Sequence, residues 1–271
     1  MNSKLDWARW AADNLAAVRA AQPLVHNITN FVAMNFTANV LLASGAAPVM
    51  AHAAEEVEEM VALAKTLVLN IGTLDAPWIA AMAKAGRKAT VLGIPIILDP
   101  VGAGATQLRT ETALRFLAEM RVAIVRGNAS EILALGGAAG GTKGVESTAA
   151  VDAAAECAAA LAQKTGMVVA ITGPEDFITD GNRYMRVANG HPLMGSVTGM
   201  GCGATATIGA FAAVEGDPFS AAATALAYYG LAGERAAKSA TGPGSFAVGF
   251  LDALHAMASA DLAQGCRIRE A

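Results

Sequence analysis

The chain has 271 residues, of which 54% are hydrophobic and 15% charged, and its formal net charge at pH 7 is −4. This composition argues against a disordered protein and favours a well-buried α/β fold. The slightly acidic balance and the absence of a basic cluster in the sequence argue against nucleic acid as a partner.

The first residues, one long apolar run and the cysteines indicate the cellular compartment to expect. Charged residues occur within the first six positions, which is atypical of a secretory signal. The apolar run 195–214 is long enough to cross a membrane, but its five glycines and three threonines favour a buried helix with its entry loop. Cys157, Cys202 and Cys266 lack paired or metal-type spacing, so we expect a reduced, cytoplasmic protein without a membrane segment.

Short β-prone runs alternate with longer helical patterns along the chain. Strands are predicted at 24–30, 47–50, 67–71, 94–98, 122–125 and 167–171, and a hairpin around an Asp-Gly-Asn turn at 177–185. Helices are predicted at 4–21, 31–43, 54–65, 76–89, 110–119, 130–135, 151–164, 204–214, 218–239 and 245–260. The stretch 136–144, with five glycines, is predicted to be the most flexible.

This alternation predicts a mostly parallel central sheet with helices on both faces. Neither a repeat nor a linker divides the sequence, so we expect a single domain over 1–271. In such sheets ligands bind beyond the carboxyl ends of the strands. Polar residues cluster at those predicted ends, namely Asn27, Thr29, Asn70, Asp99, Arg126, Asn128 and Thr172.

A glycine-rich stretch opens one of the apolar helices. Gly199, Gly201 and Gly203 stand on alternate positions and would let the backbone approach another molecule closely. A helix N-terminus offers unpaired N–H groups and the positive end of the helix dipole, which suit a phosphate or a transferring phosphoryl group. Close packing of two elements would explain the glycines equally simply. The spacing matches neither the dinucleotide fingerprint nor the phosphate-binding loop that ends in Gly-Lys-Ser/Thr.

Two carboxylates at neighbouring strand ends are candidates for holding a cation. Asp99 directly follows a strand of Ile and Leu, and it could be a turn former or a metal ligand. Glu131 lies three residues after Asn128, which is the spacing of a helix capping box. Hydrated Mg²⁺ takes only one or two carboxylates, so metal–phosphate chemistry opposite the glycine-rich stretch is a reasonable hypothesis.

Three further side chains near these elements have open roles. Arg126 offers a planar guanidinium suited to phosphate, or it is a surface arginine at a strand edge. Cys202 is expected at a helix N-terminus, where the pKa of a thiol should fall, although free cysteine is often only a small buried apolar residue. His191 lies close to the glycine-rich stretch, and a structural role is the simpler interpretation.

Six motifs in order carry a resemblance to a known family. They are 23–30 (PLVHNITN), 70–74 (NIGTL), 99–103 (DPVGA), 126–131 (RGNASE), 198–202 (TGMGC) and 242–246 (GPGSF). Together, over about residues 22–254, they resemble hydroxyethylthiazole kinase, a family of the ribokinase-like superfamily. Six motifs in sequence are far more specific than any one of them.

The resemblance implies a ribokinase-like three-layer fold and a kinase of thiamine salvage. Such an enzyme phosphorylates the hydroxyl of 4-methyl-5-(2-hydroxyethyl)thiazole with ATP and Mg²⁺. By similarity, Met50 and Gly199 would contact the thiazole with Asn27 nearby, Arg126 and Thr172 would bind ATP, and Asp99 and Glu131 would organise Mg²⁺. The amides from Gly199 through Gly201 to Cys202 would form an anion hole for the phosphoryl group.

Two departures from the wider superfamily have consequences. Cys202 stands where most ribokinase-like kinases hold an aspartate base, although cysteine resembles the thiazole kinase branch. No small β insertion, which covers the substrate in many sugar kinases, appears between Asn27 and Met50. The family resemblance therefore implies a homotrimer in which a neighbouring subunit completes the site, and the low charge of the chain agrees with extensive interfaces.

Three alternatives remain open from the sequence. A lyase on the same fold, the ATP- or ADP-dependent NAD(P)HX dehydratase, shares the glycine-rich stretch but normally has aspartate at the position of Cys202. A non-catalytic binding protein could have kept the fold, although Asp99, Glu131 and Arg126 are all retained. A pyrimidine or pyridoxal-type kinase is the nearest alternative among kinases.

Overall fold

One mixed sheet separates two layers of helices. The computed structural model describes residues 6–137 and 148–271, and within them nine strands follow the order β2-β1-β3-β4-β5-β6-β7-β8-β9. The strands β1 to β6 pair in parallel, whereas β7, β8 and β9 continue the sheet in antiparallel pairing. The strands are β1 (Leu24–Ile28), β2 (Ala47–Val49), β3 (Thr66–Asn70), β4 (Ile96–Asp99), β5 (Val122–Gly127), β6 (Val168–Ile171), β7 (Asp176–Thr179), β8 (Tyr184–Val187) and β9 (Ile268–Glu270).

Eleven α-helices of the described residues cover this sheet. They are α1 (Trp7–Ala21), α2 (Met34–Ser44), α3 (Val57–Leu63), α4 (Ala76–Leu92), α5 (Gln107–Glu119), α6 (Ala129–Leu135), α7 (Thr148–Thr165), α8 (Met200–Ala212), α9 (Pro218–Ala237), α10 (Pro243–Ala256) and α11 (Ser259–Gly265). Side chains of α1, α2 and α8 to α11 belong to one apolar core, and those of α3 to α7 belong to the other.

The buried strands supply both cores because successive side chains of a strand point to opposite faces of the sheet. In β3, Val68 lies in the core beneath α8 while its neighbours Leu67 and Leu69 lie in the core beneath α4. In β4, Ile97 lies in the core beneath α8 and Leu98 lies in the core beneath α4. This explains why the central strands are apolar at nearly every position, as expected for a parallel sheet covered on both faces.

The predicted elements are largely confirmed, with small shifts at their ends. Gly45 ends α2 with a φ of +92°, and Gly181 provides the positive φ of +90° in the predicted hairpin turn. The predicted flexible stretch 136–144 lies outside the described residues except for Gly136 and Gly137.

In the C-terminal third, the observed elements differ from the predicted ones in three ways. The helix after the glycine-rich stretch begins at Met200 rather than at residue 204, so Cys202 lies in its first turn. The helix predicted over 245–260 is two helices, α10 and α11, that meet at a bend of 112°. The strand β9 was not predicted, because its three residues gain their strand conformation from pairing with β8 at the edge of the sheet.

For any of the described helices to span a membrane, it would need both sufficient length and sufficient apolarity. Individually, none of them meets both conditions. The bent pair of α10 and α11 meets them jointly, by length and composition alone.

A close contact between α9 and the segment before α8 fixes one wall of the site described below. A Cβ atom at Gly230 would lie 2.3 Å from the carbonyl oxygen of Asn189, which is far inside van der Waals contact. The segment is also held by the Glu234 carboxylate, which accepts hydrogen bonds from the Asn189 side chain and from the Gly190 N–H, both at 3.0 Å. The wall therefore depends on the absence of a side chain at Gly230.

Replacing Gly230 tests this contact. We expect Gly230→Ala to lower the free energy of unfolding by about 1–3 kcal/mol, because the new methyl group meets backbone that must shift. The measurement is urea denaturation, with Gly216→Ala as the control, since a Cβ there meets no atom within 4 Å. Equal stability of the two variants would contradict the proposed contact.

Candidate active site

A cavity of about 590 Å³ lies beyond the carboxyl ends of β4, β5 and β6. Asp99 is the last residue of β4, Arg126 is the penultimate residue of β5, and Thr172 follows β6. All three line the cavity, together with Glu131 and the first turn of α8. Four of the polar residues predicted at the strand ends therefore meet at this cavity, namely Asp99, Arg126, Asn128 and Thr172, whereas among the described residues Asn27, Thr29 and Asn70 do not line it.

The first turn of α8 offers free backbone donors to this cavity. Gly199 precedes the helix with a φ of +87°, and the first helical hydrogen bond runs from the Gly203 N–H to the Gly199 carbonyl at 2.8 Å. The amides of Met200, Gly201 and Cys202 therefore precede the helical ladder. Within the described residues no side chain caps this helix end. An anion in the cavity would meet these N–H groups and the positive end of the helix dipole.

The three glycines serve different purposes. A Cβ at Gly201 would lie 2.7 Å from Nη1 of Arg126, so this glycine makes room for the guanidinium group. A Cβ at Gly203 would lie 2.5 Å from the Tyr229 hydroxyl, which places this glycine in helix packing. The simple packing explanation is thus correct for Gly203, whereas Gly199 and Gly201 shape the cavity itself.

Arg126 is a largely buried arginine in the middle of the sheet, and its interpretation as a surface residue is wrong. Its side chain is only 13% exposed, and its Nη1 lies 3.8 Å from Oδ2 of Asp99. Its Nη2 donates a hydrogen bond to the Thr172 hydroxyl. Within the described part of the chain its Nε has no hydrogen-bond partner. The guanidinium is therefore held in place while retaining donor capacity.

Asp99 is a fully buried carboxylate with one engaged and one free oxygen. Its Oδ2 accepts hydrogen bonds from Nδ2 of Asn70 and from the Thr205 hydroxyl, each at 2.8 Å. Among the described residues its Oδ1 has no hydrogen-bond partner. Burial raises the pKa of Asp99 to about 6, against the opposing effect of the Arg126 charge, and the nearby Glu131 adds to the increase. These partners come from β3 and α8, so Asp99 is not a local turn former.

Glu131 forms the predicted capping box at the start of α6. Its Oε2 accepts a hydrogen bond from the Asn128 N–H, and the Asn128 side chain accepts one from the Glu131 N–H. Its other oxygen, Oε1, accepts a hydrogen bond from the Gly102 N–H at 2.8 Å. Both carboxylate oxygens thus already have one backbone partner, although the residue lines the cavity.

The donor set of the cavity fits a hydrated magnesium ion better than a fully protein-bound metal. No cluster of three or more His, Cys, Asp or Glu in the described chain could hold a metal ion. Mg²⁺ keeps several waters and uses one or two carboxylates together with substrate phosphates. The unpartnered, buried Oδ1 of Asp99 meets that requirement, and Glu131 is close enough to influence the charge of Asp99.

The expectation that the Cys202 thiol is acidified is wrong. Burial raises the pKa of the Cys202 thiol, and the neighbouring Asp99 charge raises it further. A hydrogen bond from Nδ2 of Asn30 to the sulfur, at 3.3 Å, only partly offsets these effects. Because burial and the Asp99 charge both favour the protonated form, Cys202 is a neutral thiol near pH 7.

Met50 and Asn27 lie away from this cavity. Met50 follows β2, which is separated from β4 by β1 and β3, and among the described residues neither it nor Asn27 lines the cavity. The Asn27 side chain is buried and donates a hydrogen bond to the Val25 carbonyl at 2.9 Å. Their predicted contact with a substrate stays a prediction, as do the roles of the other candidate residues.

Some residues of the site were not singled out by the sequence. Asn30 donates a hydrogen bond to Cys202, Thr205 donates one to Asp99, and Asp176 also lines the cavity. Burial raises the pKa of Asp176 to about 7, although the Gly173 N–H and the Arg126 charge oppose that increase.

His191 has the structural role expected, since its Nδ1 accepts a hydrogen bond from the Leu193 N–H at the start of a short 3₁₀ helix.

Comparison with known proteins gives a consistent result. Residues 15–260 match the model of the "Hydroxyethylthiazole kinase family". Hydroxyethylthiazole kinase from Desulfotalea psychrophila is 58% identical over 260 residues, which cover 96% of this chain and 95% of that protein. The enzyme of the same name from Moorella thermoacetica is 51% identical over 98% of this chain and 99% of its own length.

Solved structures show the same similarity. A hydroxyethylthiazole kinase protein from Pyrococcus horikoshii OT3 superposes with a TM-score of 0.90 at 45% identity, covering 97% of this chain and 99% of that one. A pyridoxal kinase from Staphylococcus aureus, solved with pyridoxal, superposes with a TM-score of 0.58 at 15% identity, covering 77% of this chain and 86% of that one. This second match shows that the ribokinase-like fold is shared.

The protonation of Cys202 can be tested by alkylation. Because the pKa of its thiol is raised, the thiolate that reacts with iodoacetamide is scarce near neutral pH. We expect the alkylation rate of the Cys202 peptide, followed by mass spectrometry, to rise with pH to a midpoint above that of free cysteine. A midpoint below that of free cysteine would show an activated thiol and contradict the assignment.

Proposed function

The chain belongs to the hydroxyethylthiazole kinase family, and on that premise we propose how its cavity performs the phosphoryl transfer. The activity is phosphorylation of the hydroxyl of 4-methyl-5-(2-hydroxyethyl)thiazole with ATP as co-substrate, a reaction of thiamine salvage. The wider cavity, from Arg126 and Thr172 to Asp176, is the proposed ATP site. The alcohol is proposed to approach from the side of Met50 and Asn27, at the ends of β2 and β1.

One observation carries this assignment: free backbone donors, a held guanidinium and a buried carboxylate meet at the same cavity. Phosphoryl transfer passes through a loose transition state, so positioning and charge stabilisation supply most of the catalysis. The amides of Met200, Gly201 and Cys202 would bind the equatorial oxygens of the phosphoryl group as it moves. Arg126, fixed by Thr172 and Asp99, would neutralise charge on the nucleotide phosphates.

Magnesium is the proposed cation of this site. A bound Mg²⁺ supplies charge neutralisation for the nucleotide phosphates. Asp99 would hold it through the free Oδ1, and Glu131, whose oxygens already accept backbone hydrogen bonds, would act through water. The Arg126 charge next to Asp99 keeps the carboxylate available for this purpose despite its burial.

Cys202 is proposed to hold the reacting groups in place and not to act as a base. Its thiol is neutral and accepts a hydrogen bond from Asn30, which leaves little tendency to take a proton from an alcohol. Glycine is needed at position 199, because its φ is +87° and a Cβ would lie 3.3 Å from Phe36 and 3.4 Å from Ala33. Gly199 therefore sets the approach to the first turn of α8.

A coupled assay tests the function and separates it from its rivals. We expect ADP formation to depend on hydroxyethylthiazole, and not on hydrated NADH or on pyridoxal. Thiazole-independent turnover of hydrated NADH would favour the dehydratase, and absence of turnover with every acceptor would favour a binding protein.

Two variants test the roles within the first turn of α8. Cys202→Asp should remain active, because a carboxylate can accept the Asn30 hydrogen bond in place of the sulfur. Gly199→Val should lose about 100-fold or more in kcat/KM, since misplacing the helix terminus by about 1 Å is that costly. Melting temperatures control for folding, and equal residual activity of the two folded variants would refute this division of roles.

We further propose that the chain acts as one catalytic domain in a cytoplasmic homotrimer with sites at subunit interfaces. Phe31 and Val32 support the trimer, because they follow Asn30 directly and are 63% and 67% exposed. Such large apolar side chains next to a substrate site are unfavourable in water, and a neighbouring subunit would cover them. The three free cysteines agree with a reduced compartment.

Light scattering tests the assembly. The wild type should have three times the mass of the chain, and Val32→Lys should dissociate it with a loss of activity. Val91→Lys is the control, because Val91 is 82% exposed on α4, in the opposite helix layer. A fully active wild-type monomer would rule out the shared site.

A further inference from the structure

A row of buried polar side chains crosses the carboxyl ends of three adjacent strands. Asn30 follows β1, Asn70 ends β3 and Asp99 ends β4, and the three strands are neighbours in the sheet. Nδ2 of Asn30 donates to Oδ1 of Asn70 at 2.8 Å, and Nδ2 of Asn70 donates to Oδ2 of Asp99 at 2.8 Å. These bonds join the thiol side of the site to its carboxylate side.

The direction of each amide in this row is fixed by the backbone. Oδ1 of Asn70 also accepts the Gly72 N–H at 3.0 Å, so this atom must be the oxygen and the amide nitrogen must face Asp99. Oδ1 of Asn30 accepts the Ala33 N–H at 2.9 Å, which fixes that amide in the same way. Neither side chain can turn over without losing a bond to a backbone N–H.

Close packing further restricts the row. A Cβ at Gly72 would lie 2.6 Å from Nδ2 of Asn30, so the backbone of the loop after β3 presses directly on this amide. Asn30, Asn70 and Asp99 are all buried, and an unpaired polar group would be costly at any of them. The row is therefore a rigid support and not a set of adaptable surface contacts.

This row of side chains fixes the orientation of the Asp99 carboxylate. Asn70 and Thr205 both bind Oδ2, which fixes the plane of the carboxylate. Among the described residues the opposite oxygen, Oδ1, is left without a hydrogen-bond partner. Asp99 lines the cavity, and its buried, unpaired Oδ1 is the acceptor that a cation held there would satisfy.

We propose that Asn70 is a positioning residue that directs Oδ1 of Asp99 toward the divalent cation of the nucleotide complex, and that Asn30 locks Asn70 in that role. The inference rests on the proposed function, because it assumes a cation–nucleotide complex in the cavity. Partners that orient a metal-binding carboxylate typically contribute 10–100-fold to metal affinity or activity. Neither asparagine touches the reacting atoms in this assignment.

The test uses Mn²⁺ as a probe for the cation. Electron paramagnetic resonance of Mn²⁺ with ADP and the intact enzyme gives the dissociation constant of the ion in the complex. For Asn70→Ala we expect this constant to rise by about 10-fold or more. The affinity for ADP in EDTA and the KM for the thiazole alcohol should change by less than about 3-fold, because the other contacts remain.

Matched variants separate positioning from a general structural effect. Asn39→Ala is the control for the same substitution on the surface, since among the described residues the Asn39 side chain donates only to Asn35 of its own helix. Thr205→Val removes the second donor to Oδ2 of Asp99 and should also weaken Mn²⁺ binding, whereas Thr205→Ser, which keeps the hydroxyl, should restore it. The threonine pair keeps the proposal testable if Asn70→Ala does not fold.

The outcomes distinguish the inference from the function on which it rests. Unchanged Mn²⁺ affinity in folded Asn70→Ala or Thr205→Val, with an active wild-type kinase, would overturn only the positioning role. Equal loss of Mn²⁺ and of metal-free ADP affinity would overturn it as well, because that result indicates a distorted cavity. A wild type without thiazole-dependent ADP formation would instead count against the proposed function.

Discussion

The start of α8 over the ends of β4, β5 and β6 is the arrangement on which the site depends. It directs the amides of Met200, Gly201 and Cys202 toward a cavity that also contains Asp99 and Arg126. A helix terminus stabilises an anion only within its first turn, so a shift of one turn would remove the effect. Under the proposed function, the packing of α8 against β1, β3 and β4 would serve catalysis as well as stability.

Among the described residues that line the cavity, Arg126 supplies the positive charge that faces the carboxyl groups. Arg126 influences both Asp99 and Asp176, and burial raises the pKa of each carboxyl group. Without the guanidinium, two buried carboxylates would face a nucleotide that is itself negative. Gly201 is the residue that permits this balance, because any side chain there would displace the guanidinium.

Much of the fold follows from the sequence because local and global signals agree. Apolar strands flanked by helical patterns predict the parallel sheet, and the strand ends predict that Asp99, Arg126 and Thr172 lie beside one cavity, as they do. The prediction fails where long-range packing decides the result. Strand β9 depends on pairing with β8, and the raised pKa of Cys202 depends on burial beside Asp99. The partners of Asp99 come from residues 29 and 106 positions away, which no local pattern shows.

The most direct test of the account is a crystal structure with ADP, Mg²⁺, aluminium fluoride and hydroxyethylthiazole, in which the fluoride complex occupies the place of the migrating phosphoryl group. The account predicts that its equatorial ligands lie within about 3 Å of the amide nitrogens of Gly201 and Cys202, with Arg126 and the cation held by Asp99 on the nucleotide side. A fluoride complex bound away from the start of α8, or amides of that turn engaged by carbonyl groups of the protein, would contradict it.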